Sequence, residues 1–193
     1  MRIGILGGSF DPIHVGHAII ACYIMRHTSL EQLWLMVTPE NPWKEGQLHA
    51  SELHRLRMTE LVTRHIEGVT TSAFEMQLPR PSYSVDTLRA LRERFPQHEF
   101  VLVIGADNWV EFDRWRDHEE ILRHHHVMVY PRLGYDIQVP DELQERVTIV
   151  QAPIIEVSST MIRQELQQGH DATFYVTDEV NRYIVKNHLY MPQ

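Results

Sequence analysis

Dense apolar runs alternate with amphipathic stretches up to about residue 130 of this chain. Arg2–Leu6, Gln32–Val37, Val69–Phe74, Phe100–Gly105, Val127–Tyr130 and Val147–Val150 read as strands. Several are unbroken, as in Phe100-Val101-Leu102-Val103-Ile104, and unbroken runs mark strands covered on both faces, as in a parallel sheet. Helical spacing fills the gaps: Val15–His27, Ser51–His65, Ser84–Phe95, Asp117–His124, Ser159–Gln168 and Thr177–Asn187. Ser51 is a natural N-cap, with Leu53, Leu56, Leu61 and Val62 along one side. Val85, Leu88 and Leu91 form the stripe of the third helix, which ends before Pro96. Gly169 suits a C-cap, and Val180, Ile184 and Tyr183 point inward on the last helix. This alternation predicts an α/β fold: an open, doubly wound, mainly parallel sheet with helices on both faces and a small helical C-terminal subregion. Ligands in such sheets sit beyond the carboxyl ends of the strands, where strand order reverses.

The start of the chain carries the sharpest polar pattern. A strand at Arg2–Leu6 feeds Gly7-Gly8-Ser9-Phe10-Asp11-Pro12, and His14-Val15-Gly16-His17 opens a helix. Glycines let backbone approach a phosphate closely, and the free N–H groups of a helix start point at it. His14 and His17 are three residues apart and share one helix face. Two histidines in a chain with thirteen are incidental by themselves. Here glycine turn and strand end converge on the same spot, which favours a ligand role. The turn matches neither G-x-G-x-x-G nor G-x-x-x-x-G-K-S/T, which weakens dehydrogenase and P-loop readings. Ser158-Ser159-Thr160 before a helix is a second candidate anion nest, with Arg163 one turn in as a fork for phosphate. Ordinary capping and a solvated arginine would look the same.

Bulk properties narrow the classes. The 193 residues are 43% hydrophobic, enough for a substantial core. A net charge of -8 argues against nucleic acid as a partner. Cys22 is the lone cysteine and reads as a small buried thiol, fitting a reducing cytoplasm. No signal peptide is expected, and no apolar run approaches the roughly 20 residues of a membrane helix. His124-His125-His126 suggests metal at first sight, but adjacent helical residues point apart, so a solvated helix end is expected. Pro39–His49 and Arg132–Asp141 are the longest loop-like stretches.

Gly7–His17 resembles the opening of nucleotidyltransferases with a T/H-x-G-H element, and Val157-Ser158-Ser159-Thr160-Met161-Ile162-Arg163 resembles their I-S-S-T-x-I-R element. Within that superfamily Ser82-Tyr83-Ser84-Val85-Asp86-Thr87-Leu88, and Gly105-Ala106-Asp107 with Phe112 and Trp115, are similar to bacterial nicotinate mononucleotide adenylyltransferases. The resemblance spans nearly the whole chain. It implies a single Rossmann-like nucleotidyltransferase domain over residues 1–193, acting in NAD biosynthesis. The implied reaction is attack by the 5′-phosphate of nicotinate mononucleotide on the α-phosphate of ATP, with magnesium carried on the ATP and no protein metal site.

The attacking phosphate is already anionic, so such catalysis reduces to alignment and charge neutralisation. By resemblance, His17 meets the α-phosphate with His14 beside it. Gly7, Gly8, Ser9 and Phe10 lend backbone to the phosphates, and Gly105 and Asp107 hold the nucleotide. Ser158, Ser159, Thr160 and Arg163 take the β- or γ-phosphate. In Asn41-Pro42-Trp43-Lys44, Lys44 is similar to the lysine of the family's P-P-H-K element, with Trp43 where histidine is usual. Asn41 and Lys44 join the substrate set. The resemblance implies that Trp115 stacks on the pyridine ring, that Tyr83 and Ser84 receive its carboxylate, and that Asp107 holds a ribose or a ring-adjacent group. Arg116 stands where relatives carry an aromatic residue; it is equally suited to be an extra cation favouring acid over amide or a surface residue. Trp115 is equally suited to anchor a core. Other acceptors (nicotinamide mononucleotide, phosphopantetheine, flavin mononucleotide) and a non-catalytic nucleotide-binding protein are the competing readings; oligomeric state is open.

Overall fold

The structure, a computed structural model, describes residues 1–39 and 50–192. Asn41, Trp43 and Lys44 lie outside the described residues. Six parallel strands run β1 (Arg2–Gly8), β2 (Gln32–Val37), β3 (Val69–Ser72), β4 (Glu99–Gly105), β5 (His126–Tyr130) and β6 (Val147–Ile149). Their order in the sheet is β3-β2-β1-β4-β5-β6. The chain thus winds outward from β1 through β2 and β3, then crosses back to β4 on the other side. The reversal lies between β1 and β4, where Leu6 pairs with Val103.

Helices α1 (Val15–His27), α2 (Glu52–Thr63), α6 (Ser159–Gln167) and α7 (Asp178–Lys186) bury their stripes on one face. Helices α3 (Ser84–Arg94) and α5 (His118–His124) cover the other, with the short α4 (Ala106–Val110) continuing straight from β4. Side chains alternate between the faces as strand geometry requires: Val101 and Val103 join the first core, while Phe100, Leu102 and Ile104 join the second. This is the doubly wound α/β architecture predicted from the unbroken runs. Helices α6 and α7 pack into the same core as α1 and α2 rather than standing apart. No helix among the described residues is long and apolar enough to cross a membrane.

Several details depart from the sequence reading. The third strand ends at Ser72, and Phe74 leads into a short 3-10 turn at Glu75–Gln77. Helix α2 turns Arg55, Met58, Thr59, Val62 and Thr63 inward, leaving Leu53 72% exposed. The stripe is rotated because the Arg55 guanidinium reaches the carbonyls of Ser9 (2.6 Å) and Thr38 (2.8 Å). Helix α4 was not predicted; five residues show too little periodicity. The triple histidine is not a solvated helix end. His125 is buried, its Nδ1 lying 3.0 Å from the Phe100 carbonyl, and His126 already belongs to β5, bonded to Thr148 at 2.7 Å. Burial lowers the His125 pKa, so the ring is a neutral N–H donor that ties the end of α5 to β4.

Candidate active site

The turn after β1 is held from inside. Phe10 takes a left-handed backbone (φ 48°) and is buried, with Asp11 buried beside it. His14 is the N-cap of α1, and its N–H donates to Nδ1 of His17 at 3.3 Å. That bond fixes a tautomer: a neutral His17 ring accepting at Nδ1 carries its proton on Nε2. The two rings lie 3.8 Å apart, and Phe10 packs edge-on to His17 at 5.0 Å. Gly16 makes this possible, because a Cβ there would sit 2.9 Å from His14 Nδ1 and 3.3 Å from Ile155. Burial, then Arg132, lowers the His14 pKa to about 4. Burial, His14 and Arg132 push His17 well below its usual value. Both rings are therefore neutral near pH 7.

A cavity of about 730 Å³ opens beyond the carboxyl ends of β1 and β4, at the reversal of strand order. Gly7, Gly8, Ser9, Phe10 and His17 line one end. Arg132, two residues after β5, joins them. Its Nη2 donates to the Tyr130 hydroxyl at 3.3 Å, and its Nε lies 3.6 Å from Asp107, too far for a hydrogen bond. That Nε is buried without a hydrogen-bond partner among the described residues. Gly105 leaves room for both side chains here, since a Cβ would displace the Asp107 carboxylate and come within 3.0 Å of Arg132. His14 lines a smaller pocket behind His17, with Tyr130, Arg132, Ile154 and Val157.

The other end of the cavity is aromatic. Tyr83, Ser84 and Trp115 line it, with Glu75, Arg80 and Ser82. Trp115 is anchored on Phe112, which stacks on Trp109, both centroid distances being 5.3 Å. Trp115 is thus both core-packed and cavity-facing. Arg116 does not reach the cavity wall. Its guanidinium lies over the Tyr83 ring at 4.8 Å and 3.7 Å from Asp86. Glu75 accepts the Ser82 hydroxyl at 2.7 Å, and burial raises its pKa.

The second polar element folds against the first, not into the cavity. Ser158 caps α6 by accepting the Met161 N–H, and the Ser159 hydroxyl donates to the Pro12 carbonyl at 2.9 Å. Arg163 donates to the Asp11 carbonyl at 2.6 Å and to Thr160 at 3.3 Å. Sequence reasoning missed Arg132, Arg55 and Glu75. Arg132 was detectable, because a cation just past a central parallel strand sits where ligands bind. Arg55 and Glu75 gave no local signal.

Residues 5–165 match the cytidylyltransferase-like family. A protein of Bacteroides thetaiotaomicron named probable nicotinate-nucleotide adenylyltransferase is 42% identical over 185 residues, 95% of this chain and 91% of that protein. One of the same name from Flavobacterium johnsoniae is 38% identical over 98% of this chain and 99% of its own length. The chain belongs to the cytidylyltransferase-like family, in its nicotinate-nucleotide adenylyltransferase branch. Two solved structures share the fold of this cytidylyltransferase-like chain. They are the Plasmodium falciparum nicotinic acid mononucleotide adenylyltransferase complexed with NaAD (TM-score 0.81, 19% identity, covering 98% of this chain and 97% of that one) and with APC (TM-score 0.79, 18% identity, 98% and 96%). The family span begins in β1 and ends in α6, so it encloses both polar elements and leaves α7 outside.

Proposed function

We propose that the chain transfers AMP from ATP to the 5′-phosphate of nicotinate mononucleotide, giving nicotinate adenine dinucleotide and pyrophosphate. One observation carries this reading: a single cavity is lined both by the glycine turn with His17 and Arg132 and by the aromatic residues Tyr83 and Trp115. That mixture of amide, cationic and aromatic lining suits a triphosphate beside a pyridine nucleotide. The names of the relatives agree with it.

An oxygen of the acceptor phosphate bonds to the α-phosphorus, and the bond to the bridging oxygen of pyrophosphate breaks. The attacking oxygen carries no proton, so no general base is needed. The neutral His17 ring donates Nε2–H to the α-phosphate, and the N–H groups of Gly8, Ser9 and Phe10 meet neighbouring oxygens. Arg132 supplies the fixed positive charge. Arg163 acts through the turn, holding the Asp11 carbonyl so that these donors converge. Trp115 stacks on the pyridine ring, and Tyr83 and Ser84 with the start of α3 receive its carboxylate. ATP enters as its magnesium complex. No group of three or more His, Cys, Asp or Glu among the described residues is placed to hold a metal, and magnesium on a triphosphate needs few protein ligands.

The direct test is pyrophosphate release from ATP and magnesium with four acceptors in turn: nicotinate mononucleotide, nicotinamide mononucleotide, flavin mononucleotide and phosphopantetheine. Turnover fastest with the first is expected. Turnover fastest with another replaces the acceptor, and ATP binding with no turnover at all replaces the enzyme reading with a nucleotide-binding one.

A further inference from the structure

The Ser9–Pro12 turn is fixed by a residue from the far end of the chain. Asp11 is only 1% exposed. Its Oδ1 accepts the backbone N–H of Ala50 at 3.0 Å and the hydroxyl of Tyr190 at 2.5 Å. Arg163 lies 3.9 Å from Oδ2 and bonds to the carbonyl of the same residue. Tyr190 is buried in the core shared with Phe10, Ile13 and Ile162, and it lies outside the span matched by the family.

The backbone is bent on both sides to make this contact. Phe10 (φ 48°), His188 (φ 52°) and Tyr190 (φ 60°) are left-handed, a conformation that non-glycine residues hold only where surrounding contacts dictate it. After α7 the Leu189 N–H returns to the Ile184 carbonyl at 3.0 Å, which turns the chain and drives the Tyr190 ring inward. Burial and the Asp11 charge raise the Tyr190 pKa, so the hydroxyl remains a donor at working pH.

We propose that Tyr190 is a positioning residue for adenylyl transfer: its hydroxyl orients the Asp11 carboxylate, which holds the Ser9–Pro12 turn so that the turn's N–H groups and His17 face the phosphates. The proposal rests on the reaction assigned above. A merely structural hydroxyl would stabilise the fold without bearing on the rate.

Tyr190→Phe removes one oxygen and keeps the ring. Tyr183→Phe is the matched control, since that hydroxyl joins α7 to His54 at 2.9 Å, away from the cavity. Tyr190→Phe is expected to lower kcat about tenfold while KM for ATP stays within about twofold. Tyr183→Phe is expected to leave kcat unchanged at a similar loss of Tm. Wild-type kcat in folded Tyr190→Phe, or an equal fall of kcat in both variants, overturns the proposal. If Tyr190→Phe does not fold, Asp11→Asn decides: a fall in kcat supports the proposal, and unchanged kcat refutes it. If the wild-type protein turns over no acceptor, the reaction itself fails, and hydrogen exchange decides the positioning instead. Faster exchange of the Phe10 and Ala50 amides in Tyr190→Phe then shows that the hydroxyl holds the turn while its role in adenylyl transfer falls with the reaction, and unchanged exchange overturns both.

Discussion

Two polar elements, each a short turn leading into a helix, meet at the carboxyl edge of the sheet and put their groups to different use. In the first, Gly7–His17, residues Gly7, Gly8, Ser9 and His17 line the cavity, with Phe10 and Asp11 buried at its edge. In the second, Ser158–Arg163, hydroxyls and guanidinium bond to the carbonyls of Asp11 and Pro12. In the proposed reaction the first element presents donors to the phosphates, and the second holds that presentation in place. Similar sequences of small polar residues at a helix start therefore do not imply similar roles. The direction in which a neighbour lies decides whether the hydroxyls are spent inside the protein.

The comparison is broken most directly at His17. His17→Ala is expected to lower kcat by about 100- to 1000-fold, the usual cost of removing one preorganised donor to developing charge, with little change in KM for ATP. Steady-state kinetics in both substrates checks it; a raised KM at full kcat would move His17 from the transition state to ground-state binding.

Acid titration separates the elements next, because the histidines belong to the first one alone. The folded His14 pKa is about 4, against 6.5 for a free imidazole side chain. The folded protein thus binds fewer protons than the unfolded chain across that interval. Stability is full above the unfolded value and is lost as pH falls toward about 4, by roughly 3 kcal/mol from His14. His17 shifts in the same direction. Tm measured from pH 7.5 to pH 4.5 should fall, and His14→Gln should flatten the slope. An unaltered slope would show that His14 is not buried as a neutral ring.

Arg163→Ala tests the holding element. It leaves the buried Asp11 carbonyl short of a donor, which costs about 1–3 kcal/mol, so Tm and kcat should fall together. A lower kcat at unchanged Tm would instead place Arg163 on the phosphates. The smallest effect is at the aromatic end. Trp115→Ala should raise KM for the pyridine nucleotide about threefold to tenfold and spare that for ATP. Equal change for both substrates would reduce Trp115 to its packing on Phe112.

Much of the fold was legible because parallel strands buried on both faces must be apolar throughout, as Phe100–Ile104 is. The rotation of α2 was not, because leucines at 53, 56 and 61 suggested a face that Arg55 overrode by reaching two carbonyls far from it in sequence. In the site, the glycine turn and H-x-G-H spacing were legible as a turn opening a helix beside the cavity, for local backbone geometry is written in local residues. The solvated reading of His125 failed for the opposite reason: its partner, the Phe100 carbonyl, lies 25 residues away.

By itself the sequence determined the order of elements, the two apolar faces of the sheet and the two polar turns, since period, capping and glycine placement act over a few residues. Only the tertiary structure decided that Arg132 enters the cavity, that Arg163 grips a carbonyl and that Tyr190 reaches Asp11. Those are contacts between segments far apart in the chain, and they exist only once the sheet has brought its carboxyl edge together.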